Sequence, residues 1–146
     1  MSEAERNMQV VRAYIDATNA WDFDKLRELI HPDEFQFRIP FRPQVFPGEI
    51  QGRDTFLEFA EEWSQQVDGS ENLDNLTIGT IEQDPGRVFT EFTSDMTIKA
   101  TGEKYLNSYI GMFRVRDGKV VEFHEHLDSI PLLLAAGGSV TYPDVG

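Results

Sequence analysis

Tyr105–Asp128, YLNSYIGMFRVRDGKVVEFHEHLD, decides the fold. It reads as two long strands joined at Asp117-Gly118, a dipeptide suited to a type I′ hairpin because both central residues of that turn need positive φ. Once the turn is fixed, so are the faces. Tyr105, Asn107, Tyr109, Gly111, Phe113 and Val115 share one face of the first strand, and Val121, Phe123, Glu125 and Leu127 share one face of the second. Glu125 is the polar exception in its apolar row. A carboxylate set in an apolar wall must be paired, solvated by a cavity or held with a raised pKa. Each outcome makes it a candidate site residue.

The chain outside this hairpin is that of an ordinary globular domain. Its 146 residues can bury a core without staples, and residues 1–146 are expected to form one domain. Eleven Phe supply enough apolar bulk to wall a cavity as well as fill a core. A net charge of −13 argues against nucleic acid and anionic membrane surfaces as partners, since both demand a basic footprint. With no cysteine there is no disulfide framework and no thiol chemistry. The start, MSEAERNMQVV, lacks the features of a signal peptide, and no stretch approaches the ~18 apolar residues of a membrane span. A cytoplasmic location is expected.

Working outward, helices come first and strands after. Met8, Val11, Tyr14 and Ile15 recur at helical spacing and predict a helix over 3–20, with Ser2 and Glu5 as a capping box. A short helix is expected over 24–30, ended by His31-Pro32, then a strand over 35–41, a Pro-rich loop through RPQVFPGEI and a third helix over 54–65. The polar stretch 65–75 reads as a surface connection. Strands over 76–83, 87–100, 105–116 and 119–128 then form an antiparallel meander with turns at Asp-Pro-Gly, Thr-Gly and Asp-Gly. Residues 130–136 read as an apolar lid or short helix. This order predicts an α+β domain.

The chain resembles the nuclear transport factor 2-like superfamily, and within it the SnoaL-like cyclase and ketosteroid isomerase group. The motifs are VVRAYIDATNAWDFDKLREL for the opening helices, IQGRDTFLEF entering the third, and YLNSYIGMFRVRDGKVVEF for the hairpin. The hairpin, with EHLDSIPLLLAAGG, also resembles the phenazine-biosynthesis A and B proteins. The resemblance implies a cone-shaped, curved antiparallel sheet wrapped round three N-terminal helices. It also implies a homodimer whose lumen holds an apolar small-molecule ligand. Tyr14 matches the phenolic oxyanion donor of ketosteroid isomerases, whereas their base falls at Arg38 and their protonated acid at Gly111. The Arg and Asp of the limonene-epoxide-hydrolase pattern fall at Phe92 and Ser94. Glu125 matches the acidic residue of that hydrolase group and the acid-base glutamate of the phenazine proteins.

These matches make Glu125 and Tyr14 the expected catalytic pair, Glu125 shuttling a proton. Alternatively, Glu125 forms a structural ion pair with Arg38 or Arg114, or faces solvent. The resemblance turns the row of Gln36, Arg38 and Pro40 toward the lumen, where Arg38 would bind ligand or pair with Glu125 and lower its pKa. Tyr105, Asn107 and Tyr109 form a polar-aromatic row suited to orienting an oxygenated molecule; Phe123, Trp63 and Phe59 are further candidate contacts, with core packing the plainer role for each. His124 and His126 with Glu122 do not make a metal site, since the third histidine, His31, lies far away in sequence. No phosphate loop, nucleotide fingerprint or nucleophile elbow occurs, so no cofactor is expected. Two functions fit: cofactor-free acid-base catalysis, as an isomerase, cyclase, dehydratase or condensing enzyme, or a non-catalytic dimeric binding module.

Overall fold

In the computed structural model, which describes residues 1–144, two helices precede a bent six-stranded sheet and a third follows its first two strands, all three packing on the inner face. Helix α1, Glu3–Asn19, opens with the expected capping box: the Glu5 amide donates to Ser2 Oγ and the Ser2 amide to the Glu5 carboxylate, both at 3.1 Å. Its buried stripe of Val11, Tyr14 and Ile15 faces the sheet. Helix α2, Phe23–Leu29, is capped by Asp22, and α3, Arg53–Gln66, buries Phe56 and Leu57.

The strands are β1, Gln36–Arg38; β2, Glu49–Gln51; β3, Asp74–Ile81; β4, Asp84–Thr97; β5, Lys104–Arg116; and β6, Lys119–Leu127. They lie in the order β2-β1-β6-β5-β4-β3 in an open sheet. All neighbours are antiparallel except β1 and β6, which run parallel with Phe37 opposite Phe123, so the sheet is mixed. Helix α4, Ser129–Ala135, follows directly. Together these give the α+β cone of the nuclear transport factor 2-like fold.

The hairpin forms as its sequence dictates. Asp117 and Gly118 have φ of 52° and 75°, and the inward row of β5 from Tyr105 to Val115 is buried throughout while its neighbours face out. Phe113 and Phe123 sit opposite one another and stack, ring centroids 4.2 Å apart. One irregularity lies next to the turn: Val115 pairs with Val120 but Arg114 with Glu122, so Val121 bulges and both valines are buried.

Three local expectations are revised. The loop expected after β1 contributes β2 at its end, because Ile50 has an apolar slot opposite Phe37. The β3–β4 turn is Glu82-Gln83, and Asp84-Pro85-Gly86 instead begins β4 in a bulge between the pairs Ile81–Asp84 and Thr80–Val88. Proline tolerates that place because no ladder bond is asked of it, and its carbonyl accepts from Asn7 Nδ2 at 2.9 Å, tying α1 to this hairpin. Third, the strand expected over 35–41 is shortened to Gln36–Arg38.

Candidate active site

The inner faces of the helices and the inward rows of β4, β5 and β6 enclose a cavity of about 100 Å³. Of the residues singled out in the sequence, Tyr14, Phe59, Trp63, Tyr105, Tyr109, Phe123 and Glu125 line it. Leu132 of α4 lines it too, whereas Ile130 and Leu134 of the same apolar run are exposed. Among the described residues the lining holds no Lys, Arg or His. Its charged groups are two carboxyls, Glu125 and Glu71.

Glu125 occupies this wall because strand parity puts it inward and Gly111, directly opposite on β5, leaves the space above it to aromatic rings. A Cβ at Gly111 would lie 2.7 Å from Thr90 Oγ1 and 3.1 and 3.2 Å from ring carbons of Phe123 and Phe92. Part of the Glu125 surface faces the cavity and the rest is enclosed by protein. Its carboxyl has no hydrogen-bond or ion-pair partner among the described residues. Burial, and secondarily the charge of Glu71, push its pKa up to about 8. The structural ion pair is thereby ruled out: Arg114 points outward and holds Asp84 at 3.2 Å, and Arg38 lies on the other side of the sheet.

Tyr14 reaches the same lumen from α1. Its ring is gripped edge-on by Phe113 and Phe123, at centroid distances of 5.3 and 5.5 Å, and is 3% exposed. Its hydroxyl has no hydrogen-bond partner among the described residues. Burial, then the charges of Glu125 and Glu71, raise its pKa well above that of an ordinary phenol, so it stays protonated and available as a donor.

Tyr105 and Tyr109 are less free. The Tyr109 hydroxyl is bonded to Ser94 Oγ at 2.8 Å and donates to Tyr105 at 3.3 Å, while Tyr105 also accepts from Asn107 Nδ2 at 2.7 Å. Burial pushes Tyr105 up to about 12 and Tyr109 higher still.

Two expected ligand contacts are corrected. Asn107 is buried but does not line the cavity; its amide nitrogen donates to Tyr105 and to the Asp128 carbonyl at 2.9 Å, and its oxygen accepts from the Ser108 and Asp128 amides at 2.8 and 3.2 Å. Those four bonds saturate the side chain and pin the end of β6 to β5. Arg38 is exposed. In and beside β1, Phe35, Phe37 and Ile39 are the buried residues, which turns Gln36 and Arg38 outward, Arg38 beside His124. Three large apolar side chains gain more from the interior than a guanidinium could, and they set the parity. His124 contacts Gln36 and Glu122 on that outer face, and His126 lies against Phe41.

Glu71 was not foreseen. It lies in the polar stretch expected to be a surface connection, between α3 and β3. That stretch folds inward because it is tied at both sides: Ser70 Oγ donates to the Asn19 carbonyl at 2.8 Å, Asn19 exchanges two bonds with Leu73, and Asn72 Nδ2 donates to the Asp95 carbonyl at 2.7 Å. Left-handed Gly69 and Asn72, with φ of 79° and 51°, make the turns this path requires. Glu71 then accepts the indole N–H of Trp63 at 2.7 Å. Burial raises its pKa to about 7, against the lowering effect of that bond. Only the dense Gly, Ser and Asn content of the segment hinted at specific turns.

A bent sheet closed by helices over an aromatic lumen with inward carboxyls defines a class of small-molecule-binding cones, and the chain belongs to the SnoaL-like domain family, whose model matches residues 11–123. It is 26% identical over 141 residues to "Uncharacterized protein YesE" of Bacillus subtilis (strain 168), covering 95% of this chain and 92% of that one. Two solved structures share its fold. A Bacillus subtilis protein described as "Putative Isomerase" has a TM-score of 0.85 at 23% identity, covering 97% of this chain and 100% of its own. A phenazine biosynthesis-related protein from Pseudomonas aeruginosa has a TM-score of 0.80 at 21% identity, covering 97% and 92%.

Proposed function

We propose that this protein is a cofactor-free acid-base enzyme that moves a proton on a small, uncharged, oxygenated molecule, with Glu125 as proton shuttle and Tyr14 as donor to the substrate oxygen. The observation that carries this reading is the coincidence, in one aromatic cavity, of a carboxyl and a phenol whose polar atoms have no partner among the described residues. Both groups line the cavity and take no partner from the described residues, so a bound substrate can make the hydrogen bonds left open there. With its pKa near 8, Glu125 is roughly nine-tenths protonated at pH 7. It therefore meets substrate as an acid and returns as a base, as isomerisation, cyclisation, dehydration and condensation each need. Tyr14 supplies a neutral donor to a developing oxyanion.

Two carboxyls without a lining cation favour neutral ligands over carboxylates and phosphates. The cavity volume of about 100 Å³ is well below the ~300–1,000 Å³ of drug-sized pockets, which favours a molecule of one ring. Among the described residues no helix is long and apolar enough to cross a membrane. We further infer a single domain acting in the cytoplasm as a homodimer, joined through the outer face of β5, where Leu106 and Ile110 are 56% and 53% exposed; a light-scattering mass of one chain would overturn the dimer. The functional test is turnover of single-ring ketones and enones by wild type, E125Q and H126A. Loss in E125Q with retention in H126A is expected. Equal activity in E125Q refutes the assignment, and tight binding without product in wild type indicates a carrier.

A further inference from the structure

We propose that Glu71 is the second half of the acid-base machinery, taking a proton from a substrate carbon while Glu125 gives its own to the substrate oxygen across the same lumen. The inference rests on the acid-base reading of Glu125 and divides that residue's work between two carboxyls. Four observations carry it.

Both side chains line one cavity whose described lining holds no cation. Two carboxylates in a shared apolar space repel, and with nothing positive to offset them the pair retains a proton. Trp63 decides where it sits. Its indole can only donate, and it donates to Glu71 at 2.7 Å, which stabilises the ionised form there; Glu125 receives no such bond and keeps the proton. The titratable groups facing Glu71 are Tyr14 from α1, Tyr105 from β5 and Glu125 from β6, with Trp63 as its donor from α3. The phenols stay neutral, which leaves the two glutamates as the exchanging pair. Finally, Glu71 is held by structure on both sides: the Asp95 amide donates to the Glu71 carbonyl at 3.1 Å, and the adjoining Ser70 and Asn72 are bonded to α1 and β4. A carboxylate on an anchored loop can be aimed as a strand residue is.

The step balances without an oxidant or metal. The Glu71 carboxylate removes a proton from the carbon beside a carbonyl, and the C–H electron pair becomes the C=C bond of an enol as the C=O pair moves to oxygen. That oxygen takes the Glu125 proton with Tyr14 donating to it. Where the substrate is a β,γ-unsaturated ketone the enol is a conjugated dienol, so delivery of the Glu71 proton to its γ-carbon, and return of the enol proton to Glu125, completes an isomerisation and restores both groups. Alternatively, as the carbonyl re-forms, the enol proton returns through Glu125 to a departing β-hydroxyl, which leaves as water, and transfer of the proton held by Glu71 to Glu125 resets the pair after dehydration.

The test has two arms. Protein carrying ¹³C-labelled glutamate carboxyls is titrated by NMR as wild type, E71Q, E125Q and W63F; glutamine keeps the acceptor oxygen for Trp63, so E71Q preserves the loop. Two carboxyls titrating above the surface glutamates, a downward move of Glu125 in E71Q, and an upward move of Glu71 in W63F are expected. Glu71 titrating with the surface glutamates, or Glu125 unmoved by E71Q, overturns the proposal. In the second arm, deuterium uptake from D₂O into cyclohex-2-enone is followed by proton NMR, with a fall of about 10²-fold or more expected in each single variant. Uptake lost in E125Q but kept in E71Q overturns the role of Glu71 and leaves the single-glutamate reading intact. No uptake by wild type, with coupled titrations present, overturns the catalytic role of both and leaves only a proton-sharing pair.

Discussion

Replacing Glu125 with glutamine should make this protein more stable, and increasingly so as the pH rises. The carboxyl has a folded pKa of about 8 against a reference value of 4.5. Between those values the folded state binds the proton and the unfolded chain does not, so stability falls as pH increases. Each unit of difference corresponds to about 1.4 kcal/mol. At pH 9 the cost of the ionised, buried Glu125 approaches about 5 kcal/mol, whereas at pH 5 it is about 1 kcal/mol. The glutamine side chain does not titrate, and its own burial contributes equally at both values. Urea unfolding of wild type and E125Q, followed by the fluorescence of the two tryptophans, should give a stability difference that widens by on the order of 4 kcal/mol from pH 5 to pH 9. A difference that stays constant would refute a buried, proton-binding Glu125. A difference that grows as the pH falls would mean the residue is ion-paired, with a depressed pKa.

The other expectations concern positions where a role assigned from the sequence has changed. Asn107→Ala removes four hydrogen bonds around the β5–β6 junction and should lower stability by about 2–4 kcal/mol in urea unfolding; wild-type stability with weakened ligand binding would return Asn107 to the site. Gly111→Ala drives a methyl against Thr90, Phe92 and Phe123 and should cost about 1–3 kcal/mol, read as a lower thermal midpoint. An unchanged midpoint would show that those rings can give way. Arg38→Ala, on the outer face, should change stability by no more than about 0.5 kcal/mol and leave turnover and the Glu125 titration untouched. A downward shift in that titration on restoring the arginine would contradict its outward placement.

The hairpin from Tyr105 to Asp128 was legible because two local rules suffice for it: positive φ at Asp117-Gly118 fixes the turn, and a period of two fixes the faces. The same rules placed Glu125 in the wall and Tyr105, Tyr109 and Phe123 beside it, and helical spacing aimed Tyr14 at them. Periodicity fails where a side chain's surroundings come from distant segments. Asn107 shares the inward parity of its neighbours, yet its bonds to Asp128 remove it from the cavity. In the first strand, parity leaves two possible orientations, and the burial of Phe35, Phe37 and Ile39 chose the one that turns Arg38 out. Glu71 lies in a polar loop without periodicity, and its position depends on Asn19, Asp95 and Trp63, residues 52, 24 and 8 positions away in the chain. From residues alone, then, came the fold, the inward row and one carboxyl. Tertiary structure decided that the lumen holds two carboxyls and no lining cation among the described residues, because the pairing and solvation of a charge depend on everything that folds around it.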